Sequence, residues 1–256
     1  MDSLLGIRGK DFVILACSMQ AARGITVQMT EYDKIAKIDD HKMLAVTGEG
    51  GDSQQFVDSI RSSLKLTSFR QGFPLKVNAA ANYIRTRLAT SLRTRSPFQV
   101  NTIFGGVDIP FSIESEDISS PTTSSSKLEE KKEEEKSKEE EEEEELKKGE
   151  EEKEEEEKDD QTAHLYLIDY LGTLCEVPFA AQGYCSHFLL SLFDRKCGEK
   201  APIKADELSI DQAKGILQTA INQLQVRYLI KDPKYLIKVV TAEGIIEEME
   251  MRPHIG

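Results

Sequence analysis

The chain has 256 residues, of which 39% are hydrophobic and 31% are charged, and this length allows one or two domains. Its net charge of −13 comes almost entirely from residues 127–160, where 21 Asp/Glu stand against 9 Lys. The rest of the chain, with 24 Lys/Arg and 25 Asp/Glu, is nearly neutral, which excludes a general attraction to nucleic acid or an anionic membrane.

Neither the four cysteines nor the four histidines show the spacing of a metal site. The cysteines are Cys17, Cys175, Cys185 and Cys197. We therefore expect reduced thiols, no metal and no cofactor. No apolar run reaches the about 20 residues that span a bilayer, and charged residues soon follow Leu4 and Leu5, unlike a signal peptide. These features indicate a soluble intracellular protein without a nucleic-acid or membrane partner.

The chain begins with a predicted hairpin of two strands, residues 3–8 and 12–17. Gly9 lies in the turn between them, where glycine tolerates the positive φ that such turns often need. The second run is nearly all apolar, which predicts a strand covered on both faces. We expect this hairpin to be the element around which the rest of the chain is organised.

Further strands and two helices are predicted up to residue 107. The strands cover residues 25–29, 35–38, 41–47 and 100–107. Apolar residues recur at helical spacing in the two helices between them. In the first helix they are Phe56, Val57, Ile60 and Leu64, and in the second Val77, Ala81, Ile84, Leu88 and Leu92. Pro74 suits the first turn of the second helix, and Pro97 marks its end.

A low-complexity segment interrupts the chain after this point. Residues 119–126 are rich in Ser, Thr and Pro, and the Glu/Lys run follows them. Its flanks, strands 100–107 and 164–169, are predicted to pair as one antiparallel hairpin. We therefore interpret residues 110–162 as a long disordered acidic hairpin insert, which a core tolerates because loop closure costs little more as length grows. One domain would then comprise residues 1–109 and 163–256.

The remaining chain predicts strands, two helices and more strands. Residues 173–177 form a strand that Pro178 does not allow to continue, and residues 181–186 are a turn into a third helix. That helix is apolar nearly all round and is predicted to be buried. Ser209 and Gln212 form the capping box of a fourth helix, and strands 235–241 and 245–247 close the chain. This order predicts an α+β fold with helices on the outer faces of two packed sheets.

The glycine-rich turn at residues 48–52 is a candidate phosphate cradle that we exclude. It lacks the Gly-Lys-Ser/Thr ending of a P-loop, and the carboxylates of Glu49 and Asp52 would repel phosphate. A structural turn that opens the first helix is the favoured interpretation.

Several stretches together resemble 20S proteasome β subunits, most nearly the β4 type, which is called beta type-2 in mammals. The stretches are residues 4–16, Lys34 within 33–35, Gly48 with Gly51 and Asp52, 93–101, 165–172 and 183–184. The resemblance covers about residues 1–108 and 163–248. It implies a four-layer αββα sandwich of the N-terminal nucleophile hydrolase type, in agreement with the predicted order of elements.

Active members of that family use an N-terminal threonine as nucleophile, its own amine as base, a nearby aspartate and lysine, and a glycine N–H as oxyanion hole. Aligned on Gly6, the threonine position falls on Asp2 and the aspartate position on Ser18, while Lys34 and Gly48 are retained. A carboxylate has no hydroxyl to activate. The resemblance therefore implies no catalytic residue in this chain.

Other departures from the family pattern also indicate that the chain has no catalytic residue. The Ser-Gly-Ser stretch of the family reads Tyr184-Cys185-Ser186, and the Arg-Asp-x-x-Ser-Gly motif is missing in residues 227–236. We also expect no long propeptide ahead of the first strand. Lys34 and Gly48 are interpreted as residual scaffold around an absent nucleophile.

The resemblance implies a non-catalytic structural subunit of the 20S core particle in the ATP- and ubiquitin-dependent degradation of proteins. It would fill one place in a seven-membered β ring, contact neighbouring β subunits, the opposite β ring and the α ring, and reside in cytoplasm and nucleus. Two alternatives stay open. One is a self-processed hydrolase that uses Ser3 as nucleophile, and the other is a protein-binding module in which the acidic insert is the interaction arm.

Overall fold

The structure is a computed structural model that describes residues 2–23, 26–109, 163–228 and 231–253. The interpretation of residues 110–162 as a disordered insert lies outside these residues and stays a prediction. The strands of the described part are β1 Leu4–Arg8, β2 Phe12–Ser18, β3 Ala21–Arg23, β4 Thr26–Met29, β5 Ile35–Asp39, β6 Lys42–Gly48, β7 Val100–Val107, β8 Ala163–Ile168, β9 Leu174–Glu176, β10 Phe179–Gln182, β11 Tyr235–Thr241 and β12 Gly244–Met251. The helices are α1 Gly50–Gln71, α2 Val77–Ser91, α3 Ser186–Cys197 and α4 Ile210–Arg227.

Two five-stranded antiparallel sheets form the centre of the fold. The first has the strand order β10-β1-β2-β11-β12 and the second the order β5-β6-β7-β8-β9. The predicted hairpin of β1 and β2 is confirmed, with Leu4 opposite Cys17 and Arg8 opposite Val13. All seven residues of β2 are buried, because β2 lies between β1 and β11 and both faces of the sheet are covered.

Three apolar clusters hold four layers together. Side chains of α3 and α4, such as Phe193 and Leu217, pack on the outer face of the first sheet, and those of α1 and α2 on the outer face of the second. A third cluster fills the space between the sheets and includes Leu15, Met43 and Ile103. Each such side chain stabilises the fold by about 1.5–3 kcal/mol on burial. The predicted αββα sandwich is confirmed.

The strands that flank residues 110–162 are neighbours in the second sheet. β7 and β8 pair antiparallel from Thr102 opposite Ile168 to Val107 opposite Ala163. The pairing predicted for these flanks is therefore confirmed. Residues on both sides of the segment contribute to one hydrophobic core, in which Phe104 of β7 and Tyr166 of β8 lie in the same cluster.

Helix boundaries correct two predictions and confirm a third. Pro74 is not in the first turn of α2, which begins only at Val77, and Leu92 is the 38% exposed C-cap of α2 rather than part of its buried face. The capping box of α4 is present: the Ser209 hydroxyl accepts from the Gln212 N–H at 3.3 Å, and the Gln212 side chain accepts from the Ser209 N–H at 3.0 Å.

Three other expectations were wrong. α3 is not buried all round, because Leu189, Phe193 and Cys197 face the core whereas Leu190 is 44% exposed. Residues 179–182, placed partly in a turn, form β10 at the edge of the first sheet. Gly9 does not have the positive φ suggested for its turn; glycine is needed there because a Cβ atom would collide with the ring of Phe12.

Candidate functional site

Lys34 is the centre of a polar cluster at the end of the sandwich where β1 begins. It directly precedes β5, and its side chain is only 3% exposed. Its Nζ lies 2.9 Å from Oδ1 of Asp2 and donates to the Ser18 hydroxyl at 3.1 Å and to the Gln20 carbonyl at 2.8 Å. The three partners use the full donor capacity of the ammonium group.

Asp2 lies just before β1 and is held from both sides. Its Oδ1 faces Lys34, and its Oδ2 accepts from the Thr47 hydroxyl at 3.0 Å. Ser18 fixes the adjoining backbone, because its hydroxyl accepts from the Ser3 N–H at 3.1 Å and its own N–H donates to the Ser3 carbonyl at 2.9 Å. Asp2, Ser18 and Lys34, aligned from the sequence, are therefore brought together in space.

Gly48 lies beside this cluster at the end of β6. It lines a cavity of about 600 Å³ together with Asp2 and Lys34. Other charged side chains on the cavity wall are those of Asp33, Lys37, Glu49, Arg61 and Lys238. A Cβ atom on residue 48 would collide with the carbonyl oxygen of Gln99, so the close approach of two backbones requires glycine here. The position predicted for the oxyanion glycine thus opens onto the cavity.

Sequence reasoning missed Asp232, which is 2% exposed and immediately precedes the loop into β11. Burial raises the pKa of its carboxyl to about 6; the positive charge of Lys34 acts in the opposite direction, and the negative charge of Asp2 adds to the increase. The sequence signal for it is the single acidic residue in the stretch 227–236, which otherwise lacks the family motif. Asp232 adds a second carboxylate to the surroundings of Lys34.

The thiols near the site are not activated. Cys185, in the stretch that replaces the Ser-Gly-Ser of the family, is fully buried, and burial raises the pKa of its thiol to about 11. Cys17 is buried as well, and its pKa is raised to about 12 by the same cause. A nucleophilic cysteine requires a lowered pKa and access to substrate. Ser3, the alternative nucleophile, is likewise fully buried.

The arrangement brings charged groups together and places a carboxyl group, not a hydroxyl or thiol, at the position of Asp2. The Asp2 side chain, which accepts from Thr47 and pairs with Lys34, has no alcohol hydroxyl or thiol that a neighbouring base could activate. Within the described ranges, no group of three or more His, Cys, Asp or Glu side chains could hold a metal ion. Among the helices described, none is long and apolar enough to cross a membrane.

The raised pKa of Asp232 predicts a pH-dependent stabilisation by Asp232→Asn. With a folded-state pKa of about 6 against an ordinary value of 3.8, the carboxyl destabilises the fold increasingly as pH rises from about 4 to about 6. At pH 7 the variant should be more stable by about 2 kcal/mol, and below pH 4 the difference should vanish. Urea unfolding of the full chain between pH 3.5 and 8 measures this difference.

The matched control for that experiment is Asp11→Asn, since Asp11 is an exposed aspartate in the turn after β1. The difference in free energy of unfolding between Asp11→Asn and the unmodified chain should stay nearly constant over the same pH range. If the stabilisation by Asp232→Asn instead grew toward acid pH, burial would not be raising the pKa of the Asp232 carboxyl.

Comparison with known proteins agrees with this fold. The model of the family described as "Proteasome subunit" matches residues 2–110 and 157–240. A probable proteasome subunit beta type-4 of Neurospora crassa is 31% identical over 247 residues, covering 96% of this chain and 94% of that protein. The corresponding protein of Schizosaccharomyces pombe is 32% identical, with 96% and 98% covered, and a proteasome subunit beta type-2 of Oryza sativa subsp. japonica is 28% identical, with 96% and 89% covered.

The chain therefore belongs to the proteasome subunit family. The relatives named above are β subunits of types 2 and 4, which confirms the resemblance inferred from the sequence.

Proposed function

We propose that this chain is a non-catalytic β subunit of the 20S proteasome core particle. Membership of the family and the names of its relatives support a structural place in the β part of the core. The absence of catalysis is supported by the residues at the site. Threonine-protease chemistry then belongs to partner subunits, and this chain helps to enclose the chamber in which they act.

The observation that carries the proposal is the chemical nature of the Asp2 side chain together with its contacts. The family's nucleophile position is occupied by a carboxylate, and the lysine that would assist a nucleophile is engaged by that carboxylate, Ser18 and Gln20. The ion pair and its hydrogen bonds join β1, β2, β5 and β6 at one end of the two sheets. The retained lysine thus has a structural role that does not depend on catalysis.

The proposed assembly places one copy in each of two seven-membered β rings, in contact with neighbouring β subunits, the opposite β ring and the α ring. We further propose that the particle containing it resides in cytoplasm and nucleus and serves ATP- and ubiquitin-dependent degradation. Fluorescence microscopy of the endogenously tagged chain tests the location, and exclusion of the tag from either compartment contradicts it.

Native mass spectrometry of the purified core particle tests the assembly. We expect two copies of this chain per particle, present together with α-type and other β-type subunits. Absence of the chain from particles of that mass, or a copy number other than two, contradicts the proposal.

A peptidase assay of the purified full chain tests the absence of catalysis. No hydrolysis is expected above that of Lys34→Ala. Peptide hydrolysis that Lys34→Ala abolishes, while circular dichroism shows the variant still folded, would show an active site and refute the non-catalytic assignment.

A further inference from the structure

The segment between α2 and β7 is held at its two ends. Residues 92–99 are neither helix nor strand, and most of their side chains are exposed. At one end, the Thr94 N–H donates to the Ser91 carbonyl at 2.9 Å. At the other end, the Gln99 N–H donates to Oδ2 of Asp52, in the first turn of α1, at 3.3 Å. These hydrogen bonds fix the ends of the segment and leave its middle accessible to solvent.

Ser96 lies in the middle of this segment and is exposed. Among the residues that the structure describes, none forms a hydrogen bond or an ion pair with Arg95 or Ser96. A stretch with so few contacts opens locally at a low free energy. The Ser96 hydroxyl can therefore enter the cleft of a modifying enzyme while α2 and β7 stay folded.

Pro97, which follows Ser96, indicates the kind of enzyme. Proline is the residue whose backbone nitrogen carries no hydrogen. A kinase cleft without a hydrogen-bond acceptor after the serine would leave the N–H of any other residue unpaired, at a cost of about 1–3 kcal/mol. Such a kinase selects Ser-Pro over other dipeptides. The sequence has two Ser-Pro dipeptides, Ser96-Pro97 and Ser120-Pro121, and the structure describes the first of them.

The sequence around Ser96 favours a negatively charged group. Residues 59–107 contain eight Lys or Arg and no Asp or Glu. Arg93 and Arg95 are exposed, and no carboxylate of the described residues forms an ion pair with either of them. A phosphoserine carries a charge of about −1.5 to −2 and three strong acceptor oxygens. Because both arginines lie within three residues of Ser96, their guanidinium groups can donate to a phosphate there.

We propose that Ser96 is a phosphorylation site of the free folded chain, used by a kinase that requires proline after the serine. The Ser96 oxygen forms a bond to the γ-phosphorus of ATP, while the bond from that phosphorus to the β,γ-bridging oxygen breaks. The serine proton passes to a carboxylate of the kinase, and ADP leaves. Arg93 and Arg95 then bind the phosphate and fix the middle of the segment. Nothing in this modification depends on assembly of the chain into a particle.

Phosphorylation of the purified full chain tests the site. The chain is incubated with Mg²⁺, ATP and an active mitogen-activated protein kinase, which is a proline-directed enzyme, and modified residues are identified by mass spectrometry. Chymotrypsin is used for digestion, because trypsin cuts after Arg93 and Arg95. We expect phosphate on Ser96, at an initial rate that Pro97→Ala lowers by roughly tenfold or more. No phosphate on Ser96, or an equal rate in Pro97→Ala, overturns the proposal.

Pro202→Ala is the matched control, since Pro202 is exposed and follows an alanine. It should leave the rate at Ser96 unchanged, and circular dichroism should show both proline variants folded. An equal fall in rate in Pro202→Ala would refute the specific role of Pro97.

Titration of the bound phosphate by ³¹P NMR tests the two arginines. Nearby cations favour the doubly charged form of a phosphate, so its second pKa should be higher in the double variant Arg93→Gln, Arg95→Gln than in the phosphorylated unmodified chain. An unchanged pKa would show that these arginines do not bind the phosphate.

The chain isolated from its own cells tests whether the site is used. It is immunopurified with phosphatase inhibitors present, separated by size into free chain and larger assemblies, and mapped with chymotrypsin as above. We expect phosphate on Ser96 in the free chain. Its absence from every fraction overturns the proposal.

Discussion

Replacing Lys34 with Met should lower the free energy of unfolding of the full chain by about 3 kcal/mol. The substitution keeps the apolar stem but removes the ammonium group, which leaves the Asp2 carboxylate and the buried Asp232 without their nearby cation. The Gln20 carbonyl and the Ser18 hydroxyl also lose a donor. Urea unfolding followed by circular dichroism at pH 7 measures the loss.

Lys37→Met is the matched control, because Lys37 lies only three residues away in β5. Its pair with Asp40 is exposed, with the lysine side chain 55% and the aspartate 77% accessible. Surface ion pairs of this kind contribute about 0–1 kcal/mol to stability, so Lys37→Met should lower the free energy of unfolding by no more than that. Equal losses in the two variants would mean that the cluster around Asp2 does not hold the N-terminal segment in place.

Gly183→Ala should destabilise the chain by about 3 kcal/mol or more. Gly183 has a φ of 88°, in the left-handed region that L side chains rarely adopt. A Cβ atom there would also collide with the carbonyl oxygen of Asp2, which is backbone and cannot rotate away. The start of β1 would have to move, and the Asp2–Lys34 pair with it. Thermal and urea unfolding report the loss of stability.

Gly215→Ala serves as the comparison for that substitution. Gly215 is inside α4, and a Cβ atom at this position would have open space around it. Alanine has a higher helix propensity, so this variant should be more stable by about 0.5–1 kcal/mol. A Gly183→Ala chain as stable as Gly215→Ala would show that the turn before α3 adapts without moving Asp2.

The layers of the fold were predictable because the patterns that define them are long. The apolar stripe of α1 and the continuous apolar run of β2 each extend over several residues that the core buries. β10 was missed because it has four residues between Pro178 and Gly183, and its place is fixed by pairing with β1 across more than 170 positions of sequence. The exposed side of α3 was missed because composition does not show which of its apolar residues the core can reach.

The site was predictable only in part, because some of its residues are placed by contacts between segments that are distant in sequence. Alignment from Gly6 placed Asp2, Ser18 and Lys34 correctly as neighbours, since all three lie next to paired strands. The contribution of Thr47 depends on how β6 ends beside β1, and that of Asp232 on where the loop before β11 enters the core. Neither position follows from a local pattern. The exposed side chains of Leu66 and Phe69 on α1 could not be separated from its buried face by periodicity, because both are as apolar as the buried residues.

Covalent labelling of the purified core particle tests the central claim, that Asp2 replaces a nucleophile, most directly. The particle is treated with an epoxyketone or β-lactone that reacts with N-terminal threonines, and every subunit is then analysed by intact-mass and peptide mass spectrometry. We predict adducts on other β subunits, which serve as the internal control, and none on this chain. An adduct on the first residue of this polypeptide would contradict the claim.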